Sequence, residues 1–247
     1  MPVLCYILIA LAAYLLGSIP FGFLAAKAKG IDIRSVGSGN IGATNALRVL
    51  GKPAGIFVLL MDVLKGYVAC AFLPPLINDW LANFLTRYCA CLFDYFQDQS
   101  VDARTHLFVF AGICAVLGHN YTCWLKFKGG KGIATTAGVY LALAPWALLI
   151  ALGVFILALV AARIVSVASM SAAVALPAAV WVMTPHNLFL GVVTTALGVL
   201  AIYKHKSNIQ RLMAGTENRL GKKAVGQAAS LPGRQDACPT RNSEEKK

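Results

Sequence analysis

Charged residues are scarce in this chain. Asp, Glu, Lys and Arg make up 13% of its 247 residues, and 58% of the residues are hydrophobic. Soluble domains carry about 25% charged residues. The scarcity excludes an ordinary soluble domain and predicts an all-α, polytopic integral membrane protein. Acidic residues are scarcer than basic residues, with 10 Asp and Glu against 22 Lys and Arg.

The excess of positive charge does not indicate nucleic-acid binding. The Lys and Arg residues lie between apolar segments and at the C-terminus, and they form neither a basic helix nor a basic stripe interleaved with aromatic residues. We therefore expect no nucleic-acid partner. Positive charge in this pattern orients membrane spans and attracts anionic substrates or the headgroups of membrane lipids.

Metal-ligand spacing is also missing from the sequence. Most of the seven cysteines lie in apolar stretches, where a free cysteine behaves as a small hydrophobic residue. Cys89 and Cys91 lie in a polar connection, but no second pair accompanies them and no histidine follows at zinc-finger spacing. We expect no metal site, no cofactor and no disulfide framework.

The apolar segments predict about seven short transmembrane helices. No Lys or Arg precedes the first segment, whereas Lys27 and Lys29 follow it, which indicates a retained span with the N-terminus outside rather than a cleaved signal peptide. The third segment is short for a full span, which needs ~20 residues. The predicted spans cover about 3–26, 53–73, 105–118, two helices within 133–162, 164–184 and 188–203.

Residues 133–162 are apolar throughout, and their arrangement decides the topology. A single straight helix of this length would measure ~45 Å, more than a ~30 Å hydrocarbon core. Two helices that turn at Pro145 leave 19 of the 22 Lys and Arg residues inside, Arg87 and Arg104 outside, and Lys65 within a span. This distribution follows the positive-inside tendency and places the C-terminus in the cytoplasm.

The remaining segments complete the predicted organisation. Residues 1–221 form the membrane domain, and the polar connection at 74–104 contains an external insertion over 76–104. Residues 222–247 contain proline, glycine and mixed charges, and we expect a disordered basic tail there.

Polar residues are concentrated between the first two spans, over residues 35–48. This stretch contains three glycines, small hydroxyl and amide side chains, and a terminal arginine, Arg48. Glycine backbone can approach a ligand closely, hydroxyl and amide groups donate short hydrogen bonds, and arginine suits phosphate. The pattern favours a phosphate-binding loop over a simple polar connection with turn glycines.

Two further cytoplasmic segments carry related chemistry. Lys128-Gly-Gly-Lys-Gly132 is not a P-loop, but its glycines and lysines precede a predicted helix start at Ile133, where phosphate is favoured. The alternative is a flexible basic loop that touches lipid headgroups. Further on, His205, Asn208 and Arg211 have the spacing of one face of a continued helix. The alternative is that His205 binds the last carbonyls of its helix, and the same alternative applies to His119 just past the third span.

One charged pair lies within a predicted span. Asp62 and Lys65 are three residues apart in the second span, so they can face one another on a helix. Charges inside a membrane are costly when unpaired. We therefore expect a structural ion pair in preference to a direct part in catalysis.

These motifs, taken in order, resemble those of the bacterial acyl-phosphate:glycerol-3-phosphate acyltransferase family, PlsY. The resemblance covers roughly residues 1–75 and 105–218. It implies a multi-pass inner-membrane enzyme with its active site on the cytoplasmic face. It also implies transfer of an acyl group from acyl phosphate to the 1-hydroxyl of glycerol 3-phosphate, giving lysophosphatidic acid and phosphate. The enzyme that makes the acyl phosphate is then a potential partner. The matching segments are Gly17–Gly22, Ser35–Arg48, Asp62–Gly66, Gly118–Asn120, Phe127–Ala134 and His205–Glu217.

The resemblance also implies roles for particular residues. Glu217, Asp62 and Lys65 are expected to be structural. The expected catalytic residues are Ser38, Arg48, His205 and Asn208. The expected substrate-binding residues are Asn40, Thr44, Asn45, Gly129, Gly130, Lys131, Gly132, Ser166 and Ser169, with the four residues 129–132 holding glycerol 3-phosphate.

The His-x-x-x-x-Asp motif of acyl-CoA-dependent acyltransferases is absent from the sequence. An acyl phosphate has a good leaving group, so phosphate clamping and proximity can carry much of the catalysis. The base is either His205 or an oxygen of the acyl phosphate itself, and a covalent acyl-Ser38 intermediate is less favoured.

The rival function is a membrane transporter of a phosphorylated solute. We favour the enzyme because the polar motifs gather at one face and no internal repeat is present. A membrane structural protein would leave the three polar loops unexplained.

Overall fold

The computed structural model describes residues 3–88 and 101–220, and within these ranges the fold is entirely helical. Within the described ranges eleven α-helices follow one another, together with a 3-10 turn at Cys123–Leu125. In chain order the helices are α1 (Val3–Ser18), α2 (Phe21–Lys27), α3 (Ala43–Leu50), α4 (Lys52–Ala71), α5 (Leu73–Tyr88), α6 (Val101–Asn120), α7 (Ile133–Leu143), α8 (Pro145–Ala162), α9 (Val165–Met183), α10 (Leu188–Lys204) and α11 (Lys206–Met213).

The helices have the length and apolarity of membrane spans. Five stretches in the described part of the chain qualify, and α10 with α11 forms a sixth if the bent pair counts as one span. Helix α7, with 11 residues, is shorter than a span. Large apolar side chains face outward, among them Leu157 at 72% and Val182 at 79% exposed, as expected of surfaces that meet lipid. The all-helical membrane architecture is confirmed, whereas seven crossings and the orientation of the termini stay predictions.

The stretch after α4 differs from the predicted polar connection. Helix α5 continues to Tyr88 after a break at Phe72, and α6 begins at Val101 and has 20 residues. The acidic residues of 74–104 suggested a loop, but Leu81 of α5 is buried in a core shared with α1 and α6. An apolar face that packs on neighbouring helices outweighs the local polarity. Cys89, Cys91 and the predicted tail at 222–247 lie outside the described residues.

Three interruptions of the helices lie between or beside the apolar segments. Helix α1 ends before Pro20, and α7 ends two residues before Pro145, where α8 begins, as proline predicts. The third interruption corrects the sequence analysis, which expected one continued helix through His205. His205 has φ −92° and ψ 7°, and α10 and α11 meet there at a bend of 53°.

Close packing between α4 and α7 sets the position of the polar loops. A Cβ at Gly66 would overlap the carbonyl of Thr135, and a Cβ at Gly138 would overlap the carbonyl of Val63. Small residues at these crossings let the two backbones approach closely, which is the usual device of membrane helices. The start of α7 is thereby held beside the part of α4 that carries Asp62 and Lys65.

Candidate active site

A cavity of about 480 Å³ opens among α3, α4 and α7 to α11. Most of its polar lining comes from helix ends and loops, and most of its apolar lining comes from the middle of the helices. The polar lining includes Ser38, Asn40, Thr44, Asn45, Arg48, Lys131, Ser166, Ser169, His205, Asn208 and Glu217. The apolar lining includes Leu59, Leu60, Val63, Leu148, Leu152, Phe155, Leu176, Pro177 and Leu197.

The first polar loop is organised by Asn45. The backbone N–H of Ser38 donates to Asn45 Oδ1 at 2.9 Å, and Asn45 Nδ2 donates to the carbonyls of Ile33 and Val36 at 3.2 and 3.1 Å. Asn45 is 1% exposed. The sequence analysis expected Asn45 to bind substrate, whereas in the structure its amide is engaged in shaping the loop.

The rest of this segment presents side chains to the cavity. Residues 43–50 form helix α3 rather than loop, so Thr44 and Arg48 are four residues apart on one helix face. Ser38 and Asn40 lie in the loop before α3, and Asn40 Oδ1 accepts the backbone N–H of Gly42 at 2.8 Å. Ser38, Asn40, Thr44 and Arg48 therefore converge on one end of the cavity.

The second glycine loop, residues 129–132, uses its backbone N–H groups differently from what its sequence suggests. The N–H of Gly129 donates to the carbonyl of Asn120 at 3.2 Å, and the N–H of Gly130 donates to the carbonyl of His119 at 3.0 Å. Those two N–H groups are engaged within the protein, and neither glycine lines the cavity. That both glycines hold substrate stays a prediction. Lys131 and Gly132 do line the cavity.

Helix α7 begins at the cavity wall. Gly132 precedes it with φ 79°, in the left-handed region that glycine adopts at low cost, and Ile133 and Ala134 of the first turn line the cavity. Backbone N–H groups in the first turn of a helix have no partner within the helix, and the helix dipole favours an anion there. The end of α7 is therefore suited to phosphate.

Glu217 connects the elements at the polar end. Its Oε1 accepts hydrogen bonds from Asn208 Nδ2 at 2.8 Å and from Ser166 Oγ at 3.2 Å, and its Oε2 accepts Arg211 Nε at 2.7 Å. Lys131 Nζ in turn donates to Asn208 Oδ1. The chain reaches this position through a turn at Gly215, with φ 68°. Arg211 was not among the predicted site residues, because its contact with Glu217 depends on that turn.

The polar end carries excess positive charge. Arg48, Lys131 and Arg211 interact electrostatically with one another and with the single carboxylate of Glu217. The pKa of Lys131 is lowered to about 8, mainly by burial, while Glu217 opposes the shift and Arg211 and Arg48 add to it. Burial on its own would raise the pKa of Glu217, but hydrogen bonds from Asn208 and Arg211 bring it below its usual value. An anion bound here would compensate the remaining positive charge.

His205 stands at the bend between α10 and α11 and is 2% exposed. Its Nδ1 lies 2.7 Å from the carbonyl oxygen of Ala201. Because a carbonyl only accepts, Nδ1 carries the proton, and Nε2 keeps its lone pair. Ser166 and Ser169 approach the same end of the cavity from the start of α9.

A second buried group lies behind the glycine loop. Lys65 Nζ is 2.8 Å from Asp62 Oδ1 and donates to the carbonyl of Ile19 at 3.0 Å. His119 Nδ1 lies 3.5 Å from the same carboxylate oxygen, and both Asp62 and His119 line the cavity. Sequence spacing indicated the Asp62–Lys65 pair, but it gave no sign that His119 from α6 would join it.

Comparison with known proteins agrees with this architecture. The family model described as glycerol-3-phosphate acyltransferase matches residues 7–215. The glycerol-3-phosphate acyltransferase of Geotalea daltonii is 42% identical over 213 residues, covering 86% of this chain and 96% of the relative. That of Thermosynechococcus vestitus is 46% identical over 218 residues, covering 87% of this chain and 94% of the relative.

Solved structures lead to the same family. The crystal structure of PlsY, an integral membrane glycerol 3-phosphate acyltransferase, in its glycerol 3-phosphate form superposes with a TM-score of 0.71 at 36% identity, covering 87% of this chain and 96% of that one. The lysophosphatidic acid form superposes with a TM-score of 0.68 at 35% identity, covering 87% and 95%. The chain therefore belongs to the glycerol-3-phosphate acyltransferase family of membrane enzymes.

Proposed function

We propose that this acyltransferase moves an acyl group from acyl phosphate to the 1-hydroxyl of glycerol 3-phosphate, giving lysophosphatidic acid and inorganic phosphate. The observation that carries the proposal is the two-part cavity, which joins a positively charged polar end to an apolar interior. Both proposed substrates have a phosphate, and the donor also has an acyl chain. The similar crystal structures in glycerol 3-phosphate and lysophosphatidic acid forms support the same acceptor and product.

The phosphates would lie at the polar end. Arg48 offers a planar guanidinium that can bind two phosphate oxygens at once, Lys131 offers an ammonium, and the first turn of α7 offers backbone N–H groups. These groups come from separate elements, so a bound phosphate would be held from several sides. The acyl chain would then lie along the apolar lining supplied mainly by α4, α8, α9 and α10.

The chemical step is an attack of the glycerol 1-hydroxyl oxygen on the acyl carbonyl carbon. A new C–O ester bond forms, the C–O bond to phosphate breaks, and the hydroxyl proton passes to a base. Nε2 of His205 can accept that proton, and so can an oxygen of the leaving phosphate. We propose that Ser38 and Asn208 orient the carbonyl and the hydroxyl, so that proximity and electrostatic clamping supply most of the acceleration.

A direct attack is preferred over a covalent acyl-Ser38 intermediate. The test is to incubate the protein with radiolabelled acyl phosphate without glycerol 3-phosphate, quench it and separate protein from lipid. We expect no label on the protein. Label that is retained in the wild type and lost in Ser38→Ala would establish the covalent route instead.

The proposed location is the bacterial inner membrane, with the polar end of the cavity facing the cytoplasm. This orientation rests on the distribution of Lys and Arg and on the positive-inside tendency. Because acyl phosphates are reactive, we also propose that the enzyme that produces the donor works next to this protein. Membrane-impermeant labelling of cysteines introduced beside Lys131 tests the orientation, and labelling only after the membrane is opened is the expected result.

The reaction itself is tested with purified protein. Palmitoyl phosphate and glycerol 3-phosphate are supplied together, and lysophosphatidic acid and released phosphate are measured in equal amounts. Parallel reactions replace palmitoyl phosphate with palmitoyl-CoA or palmitoyl-acyl carrier protein. Product from the acyl phosphate alone is expected, whereas product from a thioester alone would overturn the proposed donor.

A further inference from the structure

Three ionisable side chains are buried behind the glycine loop and take no part in the proposed reaction. Asp62, Lys65 and His119 are 2%, 3% and 5% exposed. Asp62 lies between the other two side chains, with Oδ1 2.8 Å from Lys65 Nζ and 3.5 Å from His119 Nδ1. Buried ionisable groups are costly even when paired. The contacts of these three side chains indicate which part of the candidate site they support.

The imidazole of His119 fills the space between Asp62 and the glycine loop. One ring nitrogen, Nδ1, faces the carboxylate. The other, Nε2, lies against Gly130 so closely that a Cβ at that position would overlap it. The backbone of His119 also holds the loop, because its carbonyl accepts the N–H of Gly130 at 3.0 Å.

Asn120 supports the loop on both sides of that contact. Its carbonyl accepts the N–H of Gly129 at 3.2 Å and the ammonium of Lys204 at 3.0 Å. A Cβ at Gly132 would lie 2.8 Å from Asn120 Oδ1. The end of α6 therefore fixes the loop before and after Lys131.

Lys131 lies in the loop that the end of α6 holds. It lies between Gly130 and Gly132, both held by the end of α6, and its ammonium donates to Asn208 on the opposite side of the cavity. A displacement of about 1 Å in a binding group can change the rate about a hundredfold. The position of the loop therefore determines how well the ammonium can meet a phosphate.

We propose that His119, which packs beside the Asp62–Lys65 pair, is a positioning residue for glycerol 3-phosphate. It acts through contact with Gly130, which sets the place of the Lys131 ammonium. This inference rests on the proposed function, since it assigns the support of the same site. Loss of the imidazole would weaken binding of glycerol 3-phosphate and would leave the acyl donor bound as before.

Steady-state kinetics on the full-length protein in detergent micelles test the proposal. His119→Ala is expected to raise the KM for glycerol 3-phosphate by about tenfold to a hundredfold, with the KM for palmitoyl phosphate and kcat changed far less. His119→Gln keeps a polar side chain beside Asp62 and should raise the same KM by a smaller factor. Asp62→Asn should raise that KM as well.

The matched control is His106→Ala. His106 is the same residue type on the same helix, but it is exposed and lines a separate pocket with residues 183–189. Its replacement should leave both KM values and kcat unchanged. Thermal unfolding of each variant in the same detergent separates a change in binding from a loss of the fold.

A double variant tests the contact itself. Gly130→Ala alone should raise the KM for glycerol 3-phosphate, because the new Cβ overlaps the imidazole. In His119→Ala/Gly130→Ala the overlap is removed, so the two effects should not add, as expected of residues in contact. Strict additivity of the two changes would contradict the proposed contact.

The remaining outcomes separate a positioning role of His119 from the alternatives. An unchanged KM for glycerol 3-phosphate in both His119 variants would overturn the positioning role while leaving the proposed reaction intact. A fall in kcat at constant KM, with a change in the pH profile, would make His119 a base and would likewise contradict positioning. If His119→Ala does not fold, His119→Gln and Gly130→Ala decide the question. Failure of the wild type and His106→Ala to form lysophosphatidic acid would count against the proposed function instead.

Discussion

The two glycine-rich loops look alike in sequence but are used in different ways. In the first, Gly37 and Gly39 have φ of 63° and 69°, and their freedom lets the chain fold around Asn45. In the second, Gly129 and Gly130 let the backbone lie against His119 and Asn120. Glycine supplies unusual backbone angles in one loop and close approach in the other. A count of glycines therefore does not tell which backbone N–H groups are free for a ligand.

The difference extends to the side chains that each loop offers. The first segment contributes five polar side chains to the cavity lining, including Arg48, whereas the second contributes one cation, Lys131. We expect changes in the first segment to reduce turnover and changes around the second to weaken binding of glycerol 3-phosphate.

The largest effect is expected from Arg48→Ala. Loss of the guanidinium removes a clamp on phosphate that backbone groups cannot replace, so turnover should fall by about a thousandfold or more. Membrane insertion and thermal unfolding should not change, because Arg48 remains exposed. Arg48→Lys is the matched variant and should retain part of the activity. Near-normal kcat in Arg48→Ala would contradict the division between the loops.

Asn45→Ala should have the next largest effect. It removes three hydrogen bonds that hold the first loop, each worth about 1 kcal/mol, so the protein should unfold at lower temperature and kcat should fall. Asn45→Asp keeps the acceptor for the Ser38 N–H and loses the two donated bonds, and it should be milder. A rise in KM alone, without loss of stability, would instead make Asn45 a substrate contact.

The pH dependence of the KM for glycerol 3-phosphate tests the role of Lys131 in the second loop. The pKa of Lys131 is lowered to about 8, so its charge is complete below that pH and is lost as pH rises through it. The glycerol 3-phosphate phosphate, with a second pKa near 6, is already a dianion there. The KM for glycerol 3-phosphate should therefore rise by up to about tenfold per pH unit above pH 8.

Lys131→Arg provides the control for this profile. Arginine stays charged at every accessible pH, so the alkaline rise in KM should disappear even if the overall activity is lower. Persistence of the rise in Lys131→Arg would assign the titration to another group.

The smallest effect is expected from Gly153→Ala. Gly153 lies within α8, and a Cβ there meets no atom within 4 Å, so activity should be unchanged. Stability should rise by up to about 1 kcal/mol because alanine is the better helix former. A loss of activity comparable with that of Gly130→Ala would show that glycines matter here for a reason other than close approach.

Much of the site could be anticipated from short-range patterns. The concentration of glycine, hydroxyl, amide and arginine residues over 35–48 indicates a phosphate-binding segment, the family resemblance points to Arg48 and Thr44 within it, and both line the cavity. Asp62 and Lys65 are paired, as three-residue spacing on a helix allows. Such features depend on neighbours along the chain, so the sequence contains them.

Other features depend on partners that are distant in sequence. His119 meets Asp62 only because α4 and α6 pack together, and the N–H groups of Gly129 and Gly130 find carbonyls at the end of α6. Arg211 and Glu217 meet through the turn at Gly215. The continued helix expected through His205 is instead bent there. None of these contacts follows from periodicity or residue type.

The sequence by itself determined the membrane class, the family and the residue types gathered at the polar loops, because apolar length, charge distribution and motif order are properties of the chain. Only the tertiary structure decided which of those groups face the cavity and which hold the loops in place. The physical reason is that an unpaired buried polar or charged group is costly, so most such groups find a partner, and the packing of the helices determines which partner lies within reach.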